Sequence, residues 1–349
     1  MNNLDVTKKE RLAVFDVAKG LGILLVVFAH VNYTPESLIY IYSFHMPLFF
    51  LISGIFFNNK KYTFCQFLKS RFLRLICPYL FFYTALLCAS SAVKFILMDF
   101  SLSAIGTYKN AFIQMFIAQG SSSVISAPLW FVPCLFAVEI IYYFISKLKV
   151  RFIIPVCAIL VLGGWMLETN FTQVAAYLPW SLDSALFSLG FYAIGNLSCG
   201  FLKNIIKKIK ESKYRSLISL SIALLCFAVV IPFAFLNGKV SLGSKILNNG
   251  FLFYLTGIAG SAGVIFLSLA IINCKFLQFL GKNTFCIMAT HYFIDAYLKK
   301  VILKFVFTDY DNTKILHTIL PFVIVLSLSI ICVFVYNYLK SIIFKKKTA

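Results

Sequence analysis

Asp16, Lys19 and His30 are three ionisable residues in one apolar stretch. At about 100° of rotation per residue, all three fall within about 40° of a single line along a helix. An ionisable group in hydrocarbon is costly, so such a stripe belongs on a face turned into a bundle and marks a functional path. Lys19 and His30 lie about 16 Å apart along that helix, beyond hydrogen-bond reach, and must do separate work. Lys19 suits a phosphate or a pairing with Asp16, whereas His30 as a neutral imidazole suits taking a proton from a hydroxyl. The plainer alternative is a buried Asp16/Lys19 ion pair with His30 at the membrane interface.

Ser43-Phe44-His45-Met46-Pro47 supplies a second histidine, and Pro47 frees a carbonyl one turn earlier, which favours a kink beside His45. His30 and His45 should lie at similar depth on adjacent helices and share a site. Arg71 and Arg74 stand three residues apart at the start of the next apolar run. Guanidinium groups donate in a fixed fork that fits phosphate oxygens, although ordinary anchoring at a membrane face is the alternative. Glu139 and Asp183 lie within later apolar runs, where a carboxylate facing a histidine would orient it and raise its basicity. His291 and Asp295, one turn apart, are read as a local pair facing the bundle.

The elements that position these residues follow from composition. Of 349 residues, 61% are apolar and only 13% charged, whereas soluble domains carry about a quarter charged residues. Runs of about twenty apolar residues recur, each able to cross the hydrocarbon layer as a helix. The expected architecture is an all-α, polytopic bundle of about ten spans: Ala13 to Val31, Leu38 to Phe57, Phe72 to Ser90, Leu129 to Ser146, Phe152 to Leu167, Ala176 to Leu197, Leu217 to Leu236, Phe251 to Ile272, Thr284 to Phe305 and Ile315 to Leu339. A moderately amphipathic piece from Ile105 to Ala118 is expected to lie along the surface. Residues 1–349 read as one membrane domain.

The net charge of +20 would suit nucleic acid in a soluble protein, but here the basic residues sit in short connections, so no nucleic-acid partner is expected. Alternate connections hold about 23 Lys and Arg on one side against 8 on the other, which places both termini in the cytoplasm. Asp16 and Lys19 interrupt the first apolar stretch and no A-x-A-like cleavage site follows, so it reads as a retained helix. The ten cysteines form neither a CxxC pair nor a Cys/His cluster at metal spacing, and neither a disulfide framework nor a metal is expected.

The stretch from Arg11 to His30, followed by Ser43-Phe44-His45-Met46-Pro47-Leu48-Phe49-Phe50-Leu51-Ile52-Ser53-Gly54, resembles the membrane acyltransferase-3 family, and its fucose 4-O-acetylase-like branch most closely. Arg71-Phe72-Leu73-Arg74 through Pro78, Pro128-Leu129-Trp130-Phe131 with Glu139, and Gly281-Lys282-Asn283-Thr284 leading to His291 extend the likeness in order along most of the chain. Lys19 stands where many members carry Arg, which keeps the charge and loses the fork. The C-terminal esterase-like domain of many members is not expected here.

The resemblance implies transfer of an acyl group, most often acetyl from acetyl-CoA, to a hydroxyl of a cell-surface or lipid-linked carbohydrate, at the cytoplasmic membrane of a bacterium. Acyl-CoA, a carbohydrate acceptor and membrane lipid are then the expected partners. His30 and His45, with Asp16 and Glu139, are the expected catalytic group, His30 as general base and His45 helping to position or stabilise the oxyanion. Lys19, Arg71 and Arg74 are expected to meet the donor's phosphates. The rival reading is a proton-coupled transporter or glycan exporter, against which stand the lack of an inverted repeat and the concentration of ionisable groups in the first two spans.

Overall fold

The computed structural model describes residues 3–31, 34–59, 62–96, 102–118, 127–175, 178–299 and 315–345. Helix α1 (Asn3–Val31) is followed by α2 (Pro35–Ile55), which starts on a proline at its first turn, where the missing N–H costs nothing. A capping box between Thr63 and Gln66 opens α3 (Phe64–Arg71), which runs through a π-helical turn, Phe72–Ile76, into α4 (Cys77–Ile96). Then come α5 (Leu102–Ile117), α6 (Phe131–Ile145), α7 (Val150–Asn170), the short α8 (Thr172–Ala175) and α9 (Leu182–Glu211). The chain continues with α10 (Arg215–Asn237), α11 (Gly250–Ala270), α12 (Lys275–Lys282), α13 (Thr284–Ile294) and α14 (Ile315–Lys345).

Among the described residues, nine helical runs are long and apolar enough to cross a membrane, matching nine of the ten expected spans, and no named strand forms. The expected ninth span, Thr284 to Phe305, is present as α13 with a π turn at Asp295–Lys299; the rest of it lies outside the described residues. The sixth span runs to Glu211 instead of ending at Leu197. Its extra turns carry Lys203, Lys207, Lys208 and Lys210, residues of high helix propensity whose charges do not belong in hydrocarbon. The amphipathic piece forms as α5, with Ala111 and Met115 buried and Phe112 and Phe116 exposed.

The helices divide into an inner and an outer set. The window from Pro128 to Ile145 is 83% buried, whereas that of α7 is 17% buried and presents Ile154, Ile159 and Leu162 outward, as expected of a lipid-facing helix. Between apolar helices association relies on close packing, which small residues permit. A Cβ on Gly54 would overlap the Tyr192 carbonyl and one on Gly195 the Leu51 carbonyl, so α2 and α9 cross with their backbones in contact. That crossing fixes the helix that carries His45.

The connection between α10 and α11 is pinned with comparable rigour. Val240, Leu242 and Leu247 are buried, the Lys245 ammonium lies 2.6 Å from Asp183 and donates to the Ala175 carbonyl at 2.8 Å. The single hydroxyl hydrogen of Ser184 is shared between Glu168 at 2.8 Å and the Leu242 carbonyl at 3.1 Å. Asp183 is fully buried, so removing its partner leaves an uncompensated charge. Lys245→Met should therefore cost about 3–5 kcal/mol of stability, read as a lowered thermal midpoint in detergent, and Lys245→Met with Asp183→Leu should recover most of it.

Candidate functional site

Lys19, Ile23, Val26 and His30 recur at spacings of four, three and four residues, and these positions of α1 line a single cavity of about 480 Å³. The stripe expected from the sequence is thus one wall. Tyr42, His45, Met46, Phe49 and Ser53 of α2 form the adjoining wall, and Trp130, Phe131 and the connection Ser241–Ser244 also line the space. The cavity extends from Lys19 and Arg74, at the end of the bundle rich in Lys and Arg, to His30 and His45 about 16 Å farther along α1. Its polar groups lie at the ends and its middle is apolar, the pattern of a site that holds an elongated ligand by a few fixed contacts.

The expected site residues divide into two groups. Lys19, Arg74, His30 and His45 share the cavity. Asp16 touches it through Lys19, whose ammonium lies 2.8 Å from the Asp16 carboxylate. Arg71 and Glu139 are not among its lining residues; they pair with each other at 3.1 Å, with the guanidinium also over the Phe67 ring. Tyr192 donates to the other oxygen of Glu139 at 3.5 Å. Asp183 pairs with Lys245.

The π turn explains why Arg71 and Arg74 part company. In a regular α-helix, residues three apart are surface neighbours, separated by about 60°. Arg74 lies inside the π turn Phe72–Ile76 and Arg71 just before it. The wider turn changes that angle, sending Arg71 to α6 and Arg74 to the cavity.

The histidines are held in a defined state. His45 donates from Nδ1 to the Ile41 carbonyl at 2.7 Å, because a carbonyl can only accept. In the neutral ring Nε2 then carries a lone pair. His291 does the same with the Ile287 carbonyl at 2.9 Å, and its buried Nε2 has no hydrogen-bond partner among the described residues. The His291 ring lies 5.2 Å from that of His30, centroid to centroid, and Tyr292 meets the His30 ring edge-on at 5.7 Å. His291, expected to form a local pair with Asp295, is therefore the neighbour of His30. Its distance from His30 in sequence hid this, and only the Gly281-to-His291 likeness pointed to it.

Arg71→Ala should leave Glu139 buried without its cation and destabilise the protein by about 3–5 kcal/mol. Paired replacement by Arg71→Met and Glu139→Leu should restore the thermal midpoint, and Arg74→Ala should leave it nearly unchanged.

A sequence profile described as an acyltransferase domain matches residues 12–338. Among curated proteins, nodulation protein NolL of Mesorhizobium japonicum is 36% identical over 117 residues, covering 27% of this chain and 31% of that protein. Nodulation protein NolL of Sinorhizobium fredii is 33% identical over 130 residues, covering 31% of this chain and 33% of that protein. The match thus spans about a third of these relatives' length, and no solved structure matches. The cavity-lining residues other than Lys340 fall within the span of the profile, and this multi-pass membrane protein belongs to the acyltransferase-3 family.

Proposed function

We propose that the chain is an O-acyltransferase of a bacterial cytoplasmic membrane, carrying acetyl from acetyl-CoA to a hydroxyl of a cell-surface or lipid-linked carbohydrate. The observation that carries this reading is the single cavity joining Lys19 and Arg74 to His30 and His45. The donor's phosphates sit against Lys19 and Arg74 at the cytoplasmic end. Its pantetheine arm follows the apolar middle of the cavity and brings the thioester to the histidines.

His30 takes the proton of the acceptor hydroxyl as its oxygen attacks the thioester carbonyl. The tetrahedral intermediate collapses, the carbon–sulfur bond breaks, and the proton passes from His30 to the leaving thiolate. The products are an acyl ester and CoA thiol. His45 offers an Nε2 lone pair, which cannot donate to an oxyanion, so its role is to accept from a sugar hydroxyl and orient the acceptor. His291 is a positioning residue: its Nε2, without a hydrogen-bond partner among the described residues, lies beside the His30 ring and favours the tautomer with N–H toward His291. Arg71 and Glu139 act through the fold, by setting the helix on which Arg74 stands.

In a cell lacking the native gene, His30→Ala should lower O-acylation of the surface carbohydrate by about 100-fold or more. Near-normal acylation would refute the assignment. His291→Ala should lower kcat with the KM for acetyl-CoA unchanged, and His291→Gln, whose amide oxygen can accept, should recover part of the loss. Acceptor-dependent release of free CoA thiol by purified protein separates transfer from transport.

A further inference from the structure

Four cations from four separate segments line one end of the cavity: Lys19 on α1, Arg74 in the π turn, Lys282 at the end of α12 and Lys340 near the end of α14. Lys19 is paired with Asp16, and among the described residues Arg74, Lys282 and Lys340 form no ion pair. Clustered like charges repel, and across separate helices the fold itself must hold them together. Such a concave cluster carries four cations against the one carboxylate paired within it, Asp16, and so is a focused positive field.

The fold brings Lys282 here by close packing. A Cβ on Gly281 would overlap the Asp16 carbonyl, and one on Gly20 the Leu277 carbonyl, so α12 lies directly on α1 and its last turn beside Lys19. Asn283 binds α12 to α14: it donates to the Phe279 carbonyl at 2.8 Å and accepts from Asn337 at 3.2 Å. Being turned that way, its side chain does not cap α13, whose first residues, Thr284, Phe285 and Cys286, also line the cavity. Their backbone N–H groups supplement the cations, since the start of a helix carries partial positive charge.

We propose that Lys282 and Lys340 complete, with Lys19 and Arg74, a binding site for the phosphate groups at the nucleotide end of the acyl donor. This rests on the acyl-CoA reading above and goes further, because both lysines otherwise read as ordinary charges at a membrane face. Phosphate oxyanions are the shared chemistry of a CoA nucleotide and of an anionic lipid headgroup. The cluster stands at the mouth of the cavity that leads to the histidines, which favours the donor.

The test uses the full chain in phosphatidylcholine nanodiscs, with binding of CoA and of pantetheine, which lacks the nucleotide, measured by calorimetry. Lys282→Gln and Lys340→Gln should each weaken CoA about five-fold or more and flatten its salt dependence. Pantetheine binding should stay constant, and Lys282→Arg and Lys340→Arg should retain CoA affinity. If wild-type protein binds CoA and both glutamine variants bind it equally well, this site is wrong while the donor assignment stands. If the variants alter only the phosphatidylglycerol retained from mixed-lipid nanodiscs, the cluster serves lipid and the proposal is overturned. Absence of CoA binding by wild-type protein would overturn the donor assignment and this inference together.

Discussion

Every charge that enters the hydrocarbon layer must meet a partner, and this constraint organises the bundle. Among the described residues, three ion pairs satisfy it in three places: Asp16 with Lys19 on α1, Arg71 with Glu139 between the π turn and α6, and Lys245 with Asp183 between the α10–α11 connection and α9. The last two join elements far apart in sequence and are the means by which the walls of the cavity are fixed. The first stays on one helix and leaves Lys19 facing the cavity.

The remaining cations of the cavity form no ion pair among the described residues. Arg74, Lys282 and Lys340 gather at one end, and three imidazoles gather toward the other, two of them on the cavity and one behind His30. Two of the three have their Nδ1 hydrogens fixed by carbonyls of their own helices, so the direction of each remaining lone pair is determined by the backbone. The cavity is thus framed by packed helices. The close backbone crossings at Gly54 with Gly195, and at Gly20 with Gly281, provide its rigidity.

Much of this was legible in the residues alone. The apolar runs gave the spans, because nothing but helix satisfies the backbone in lipid. The spacing of Lys19 and His30 gave a stripe, because α-helical rotation is regular. Arg71 and Arg74 diverge for a reason hidden from spacing: a π turn is a local departure from that regularity. Asp183 and His291 show the other limit. Their partners, Lys245 and His30, are set by tertiary packing across long sequence separations. Lys282 and Lys340 were masked differently, since a charge beside a ligand path and a charge beside lipid headgroups have the same sequence signature.

The central proposal is that the cation cluster and the histidines are two ends of a single donor path. An experimental structure of the full chain bound to a non-hydrolysable acetyl-CoA analogue tests it directly. Phosphate density is expected among Lys19, Arg74, Lys282 and Lys340, with the acyl-bearing end of the same molecule between His30 and His45. Donor density outside this cavity, or an acyl group remote from both histidines, would contradict it.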